Sequence, residues 1–90
     1  MSFNVLVLPR LFDEIPAEMK ENIKSAIKGL NNPYPGPGDN KKEIKGAGDS
    51  AYRLRVGSYR IFYRIDKDKK KVYVFDILTA EQAHKKYGRI

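Results

Sequence analysis

The chain has 90 residues, 41% of them hydrophobic and 32% charged, with a formal net charge of +7 and no cysteine. That length fits a single domain with a thin core, and the balance of apolar and charged residues argues against wholesale disorder. The lack of cysteine excludes a disulfide framework and any Cys-based zinc or redox site. The longest apolar run near the start, Val5 to Pro9, is too short for a signal-peptide core or a membrane span, and no basic stretch precedes it. The expectation is a cytoplasmic protein with no membrane partner. Charge is unevenly spread: residues 1–40 hold four Lys or Arg against five Asp or Glu, and residues 41–90 hold fourteen against six. A basic second half fits a polyanionic partner, either nucleic acid or an acidic protein segment, and equally fits a solvated lysine-rich surface.

In chain order, "SFNVLVL" alternates Phe3, Val5 and Val7 with Asn4, Leu6 and Leu8. Two apolar faces predict an inner strand. "PRLFDEI" reads as one or two helical turns, after which Pro16 stands where a proline opens a helix. Met19, Ile23, Ala26, Ile27 and Leu30 then recur at helical spacing, so an amphipathic helix is predicted to stop near Gly29. "NNPYPGPG" (Asn31 to Gly38) reads as a rigid loop, not a linker between domains, because the pieces on either side are each too small to fold alone. Four strand candidates follow, "KKEIKG", "YRLRV", "YRIFYRI" and "KVYVFDIL", rich in β-branched and aromatic residues and arranged as an antiparallel meander. "DKDKKK" is a polar hairpin connection. Thr79 and Gln82 have capping-box spacing, which predicts a short C-terminal helix.

The hairpin around Gly57-Ser58 concentrates the chemistry. A glycine at the first central position permits the type II′ turn that hairpins favour, and this places Val56 opposite Tyr59, Arg55 opposite Arg60, Leu54 opposite Ile61, Arg53 opposite Phe62 and Tyr52 opposite Tyr63. Directly opposed residues share a face. One face then gathers Tyr52, Leu54, Val56, Tyr59, Ile61, Tyr63 and Ile65, and the other gathers Arg53, Arg55, Arg60, Phe62 and Arg64. Opposed like charges destabilise a strand pair, and Asp76 and Asp49 are the obvious local acids to relieve them. The assignment depends on register, because a one-residue slip exchanges the faces. The arginine face is either a phosphate-binding surface, with Phe62 as a base-stacking platform, or a solvated sheet surface that favours arginine.

"YRLRVGSYRIFYRI", preceded by a strand ending in "IKG" and followed by "KVYVFDIL" and a basic C-terminal helix with Tyr87, resembles the RelE toxins of the RelE/ParE superfamily over essentially the whole chain. The resemblance implies an α+β domain spanning residues 1–90: an N-terminal strand, a helical hairpin, an antiparallel β-meander and a short C-terminal helix. It also implies the toxin of a type II toxin–antitoxin system that enters the ribosomal A site and cuts mRNA by attack of the 2′-hydroxyl on the adjacent phosphate. The partners implied are ribosome, mRNA and a cognate RelB-like antitoxin, acidic and partly disordered. The free toxin is expected as a monomer and the antitoxin complex as an oligomer. Arg53 matches a basic sheet position of the family, Arg60 the arginine of its Tyr-Arg pair, and Tyr87 its C-terminal aromatic. The chain departs from the family pattern at Ala51 and at Ala80-Glu81, positions often basic in RelE proteins. Two alternatives therefore stay open: a ParE-like toxin that binds DNA gyrase and cuts nothing, and a catalytically degenerate RNA-binding homologue.

The residue chemistry sets the roles. Arginine stays protonated, so Arg53, Arg55 and Arg60 can hold phosphate and stabilise charge but cannot trade protons. His84, the one histidine, lies one helical turn before Tyr87 and is a candidate general base. Tyr87 could stack on a base, or act as base itself if nearby arginines lower its pKa. Phe62, Arg64, Lys45, Lys85, Lys86 and Arg89 complete the expected RNA-binding set. One histidine and scattered carboxylates make no convergent metal cluster, and 2′-hydroxyl attack needs no metal or other cofactor.

Overall fold

A computed structural model describes residues 3–36, 40–44 and 51–88 of the chain. Its five strands are β1 (Asn4–Val7), β2 (Lys41–Ile44), β3 (Ala51–Val56), β4 (Tyr59–Asp66) and β5 (Lys71–Thr79), and its two α-helices are α1 (Ala17–Lys28) and α2 (Ala80–Tyr87). The strands make one sheet in the order β1-β5-β4-β3-β2. β2 to β5 form the expected antiparallel meander, while β1 runs parallel to β5. The architecture is therefore α+β, as the sequence predicts.

The core lies between one face of the sheet and α1. Ile23, Ile27 and Leu30 from the apolar helix stripe meet Tyr52, Leu54, Ile61, Tyr63, Val72, Val74 and Ile77 from the strands. Burying each such side chain stabilises the fold by about 1.5 to 3 kcal/mol before conformational entropy is charged against it. "PRLFDEI" supplies a single 3-10 turn (Pro9–Phe12), and Pro16 takes the position just before the first turn of α1. The proline-rich loop is tied to the core at Pro33, whose carbonyl accepts the buried Tyr63 hydroxyl at 2.7 Å. Tyr34 beyond it packs edge-on against Phe3 and Tyr52.

The expectation that β1 is an inner strand is not met: it sits at the sheet edge, beside β5 alone. Phe3, Val5 and Val7 face the core, but Leu6 and Leu8 stay 44% and 51% exposed. Apolar residues contribute over half of any protein surface, so a second apolar face on a four-residue strand is weak evidence of burial. Among the described residues, no helix is long and apolar enough to cross a membrane.

The Gly57-Ser58 hairpin has the predicted register at every pair from Val56↔Tyr59 to Tyr52↔Tyr63. Gly57 holds φ +55°, a left-handed conformation that glycine adopts without a Cβ penalty. A second irregularity was not legible in the sequence. Phe62 opposes Asp76, yet Tyr63 opposes Val74, so Phe75 is an extra residue that bulges β5. Because side chains alternate along a strand, this extra residue moves Asp76 off the core face occupied by Val72 and Val74 and onto the arginine face, and returns Ile77 to the core.

Candidate nucleic-acid interface

The sheet face away from α1 is the arginine face. Strand alternation and the register bring Lys42, Arg53 and Phe62 into one row across β2, β3 and β4, with Arg55 opposite Arg60 in the neighbouring row. The opposed arginines are not neutralised by Asp76; their guanidiniums diverge. Arg60 folds back so that Nη1 donates to the carbonyls of Gly57 at 3.0 Å and Tyr59 at 2.9 Å. Arg55 turns the other way and donates to Asn40 Oδ1 at 3.3 Å, while its backbone N–H donates to the Asn40 carbonyl at 3.0 Å. Neutral oxygens thus spread the charges without cancelling them.

Arg53 lies half-buried between these groups, and its Nε is buried with no acceptor among the described residues. A buried donor left unmatched costs about 1 to 3 kcal/mol. Burial, then the charges of Arg60 and Arg55, push the Arg53 pKa down from its ordinary value. Burial and Arg55 do the same to Arg60. The shared direction comes first from burial, to which the neighbouring guanidinium charges add. Asn40, Lys41, Lys42, Arg53 and Arg55 line a shallow depression of about 250 Å³ on this side. Lys42 and Asn40 were missed in the sequence; pairing "KKEI" against "YRLR" would have found Lys42, since Lys42 directly opposes Arg53.

α2 closes the opposite flank. Its start is the predicted capping box: Gln82 N–H donates to Thr79 Oγ1 at 3.1 Å, and Thr79 N–H donates to Gln82 Oε1 at 3.0 Å. Ala83 is buried, and the Tyr87 ring lies on Phe62 with centroids 4.6 Å apart at 44°. Asp76, only 9% exposed, fixes the end of the helix. Its Oδ2 accepts from both the Tyr87 hydroxyl and Lys86 Nζ, each at 2.7 Å. The hydrogen bond to Asp76 is the main cause of a raised Lys86 pKa.

Three expectations change here. Phe62 is fully buried beneath Tyr87, so it cannot stack on a base; an aromatic in a row of charges was covered by a helix that sequence pairing did not include. Tyr87 has its pKa raised, by burial first and by the Asp76 hydrogen bond second, so lowering by nearby arginines does not occur. Asp76 serves α2, not the arginines. Of the remaining residues, Arg64 is exposed with its guanidinium 5.2 Å above the Phe75 ring, and Lys85 pairs with Glu81 at 3.4 Å in solvent. His84 is exposed on α2, and Ala51 is buried at the head of β3. Lys45, Arg89 and Asp49 lie outside the described residues. Among the described residues no group of three His, Asp or Glu side chains converges as a metal site would require.

Comparison with known proteins places this geometry in a family. The family model described as the ParE toxin of the type II toxin–antitoxin system parDE matches residues 8–84. A protein of Methanocaldococcus jannaschii named as the toxin RelE1 is 31% identical over 90 residues, covering 94% of this chain and 98% of its own. The fold is similar to that in the archaeal RelE–RelB complex of Pyrococcus horikoshii, with a TM-score of 0.71 at 20% identity, over 88% of this chain and 96% of that one. It is also similar to that in the toxin–antitoxin complex RelBE2 of Mycobacterium tuberculosis, with a TM-score of 0.73 at 18% identity, over 88% and 99%.

Proposed function

The chain belongs to the RelE/ParE superfamily of toxins from type II toxin–antitoxin systems, and we propose that it is a ribosome-dependent endoribonuclease that cuts mRNA in the A site. The observation that carries this reading is the cluster of Arg53, Arg55 and Arg60 on one sheet face, with Tyr87 resting on Phe62 opposite Arg53, and without a described carboxylate paired to any of the three arginines. In the reaction the 2′-oxygen bonds to phosphorus and the 5′-oxygen leaves. The guanidiniums hold the phosphate and stabilise the added charge on its oxygens as the attack proceeds. Tyr87, with its raised pKa, keeps its proton and acts as a positioning and packing group. The proton of the 2′-hydroxyl goes to a base, for which His84, exposed on the same helix and the one histidine of the chain, is the candidate, and the departing 5′-oxygen takes a proton from water.

The restraining partner is a cognate antitoxin, by analogy with the RelB chains present in the Pyrococcus and Mycobacterium complexes. An acidic, partly disordered segment suits a chain of +7 net charge. Toxin, antitoxin and ribosome would then meet in the cytoplasm.

The test is to add purified protein to a programmed translation extract and map mRNA 5′ ends by primer extension, with Arg60→Ala alongside. New ends within the A-site codon, present with the wild type and largely absent with the variant, are expected. Intact message with normal translation would sink the ribonuclease reading. A second reading, a gyrase-binding toxin, is favoured by the ParE family match and by Ala80-Glu81 where RelE proteins are often basic. Loss of gyrase supercoiling with intact message would support it.

A further inference from the structure

Past the covered ring of Phe62, the arginine face continues into a strip of different character. Phe75, the bulged residue of β5, lies beside Phe62 with ring centroids 6.3 Å apart. Arg64, exposed on β4, carries its guanidinium over Phe75, 5.2 Å from the ring centroid. Arg64 directly opposes Tyr73 of β5, and Tyr73 pairs in turn with Leu6 of β1, so the three share one row on this face. Tyr73 is 37% exposed and Leu6 44%. The strip has limits along the strands. On one side Phe62 opposes Asp76, whose carboxylate is taken by Lys86; on the other Asp66 opposes Lys71, and their charges balance. Among the described residues of the row Arg64, Tyr73 and Leu6, the charge is that of Arg64 alone.

A planar cation over one aromatic ring, beside a second ring, suits a nucleobase. The guanidinium is weakly hydrated, permanently charged and stacks on π-faces. Every base has such a face, so stacking holds single strands with little regard to sequence. A groove for a protein helix needs instead a series of apolar anchors at helical spacing. Arg64 stands four residues along β4 from Arg60, about 13 Å, so a strand whose phosphates meet the arginine cluster reaches the strip only with further nucleotides. We propose that Arg64, backed by Phe75, and Tyr73 form a platform on which this face stacks unpaired bases of single-stranded RNA, beside the phosphate-binding arginines and distinct from them. The inference rests on the reading of the arginine face as an RNA-binding surface.

The experiment measures equilibrium binding of the full chain, at one fixed salt concentration, to three fluorescent single strands of equal length: oligoadenosine, oligouridine and an abasic strand that keeps ribose and phosphates. Wild type is expected to favour oligoadenosine over the abasic strand by about fivefold or more, the low end of base–aromatic stacking converted to affinity. Oligouridine should fall between them, because its smaller base stacks less. Arg64→Lys keeps the charge and removes the plane, and Tyr73→Thr removes the second ring while keeping a residue that suits a strand. Each should lower the ratio toward one, and the dependence of log K on log salt should stay as in wild type. Arg60→Ala should weaken all three strands together, since it removes a charge and no stacking plane. A base preference that survives in both Arg64→Lys and Tyr73→Thr overturns the inference. Equal wild-type binding to all three strands overturns it, leaves phosphate binding intact and assigns the strip to a protein partner. Wild type that binds no strand overturns both it and the RNA-binding reading.

Discussion

The two faces of the sheet are built from the same strands and held by different forces. Against α1, Ile23, Leu30, Ile61, Tyr63 and Val72 are all fully buried, and the closure is almost wholly apolar. On the other face, the short helix α2 lays the Tyr87 ring on Phe62, and its end is held by two polar contacts to one carboxylate oxygen. Beyond α2 Arg55 and Arg64 are exposed, and Arg53 and Arg60 are half-buried. The contrast teaches that the first face makes the fold and the second holds a working arrangement that the core does not enforce. Polar anchoring at the end of α2 is the weaker of the two and can change without unfolding the sheet.

That contrast can be broken first at the core. Ile23→Ala should cost about 2 to 5 kcal/mol in urea denaturation, and a loss below about 1 kcal/mol would mean that α1 is not the main closure. Asp76→Ala should cost less, about 1 to 2 kcal/mol, because the Lys86 side chain is 57% exposed and its ion pair is screened. Hydrogen exchange should then quicken in α2 and stay slow in β4; equal acceleration in both would show that the two faces are one cooperative unit.

Arg60→Ala should leave stability within about 0.5 kcal/mol, because it also removes the repulsion with Arg55. Its effect belongs to binding: the dependence of log K on log salt for single-stranded RNA should flatten by about 0.7, the share of one phosphate contact. An unchanged slope would remove Arg60 from the interface. The smallest effect is alkaline. Lys86 is raised from its ordinary 10.5 in favour of its charged form, and Tyr87 from 10.0 in favour of its neutral form. Both contributions are complete below the unfolded values and fade as pH rises through the raised folded ones. Exchange from α2 amides, corrected for intrinsic rates, should therefore hold steady from neutrality and rise only above about pH 10. Loosening near neutral pH would mean that another group controls the helix.

Much of this was readable from local pattern. The meander, the α1 stripe, the capping box and the hairpin register each depend on periodicities of two or 3.6 residues and on turn chemistry within a few positions, so the arginine cluster was legible once Gly57-Ser58 was placed. The position of β1 was not, since its neighbour is β5, far along the chain, and alternating apolar residues do not report which strand lies alongside. The fate of Phe62 depended on where α2 comes to rest, and the direction of the Tyr87 pKa on what that helix meets there. Above all, the strand period would have put Asp76 on the core side with Val72 and Val74. Only the Phe75 bulge in the pairing of β5 with β4 turns that carboxylate outward to receive Lys86 and Tyr87. Short-range periodicity determines which side chains share a strand face, whereas contacts between distant segments decide which of them are covered, held or left open.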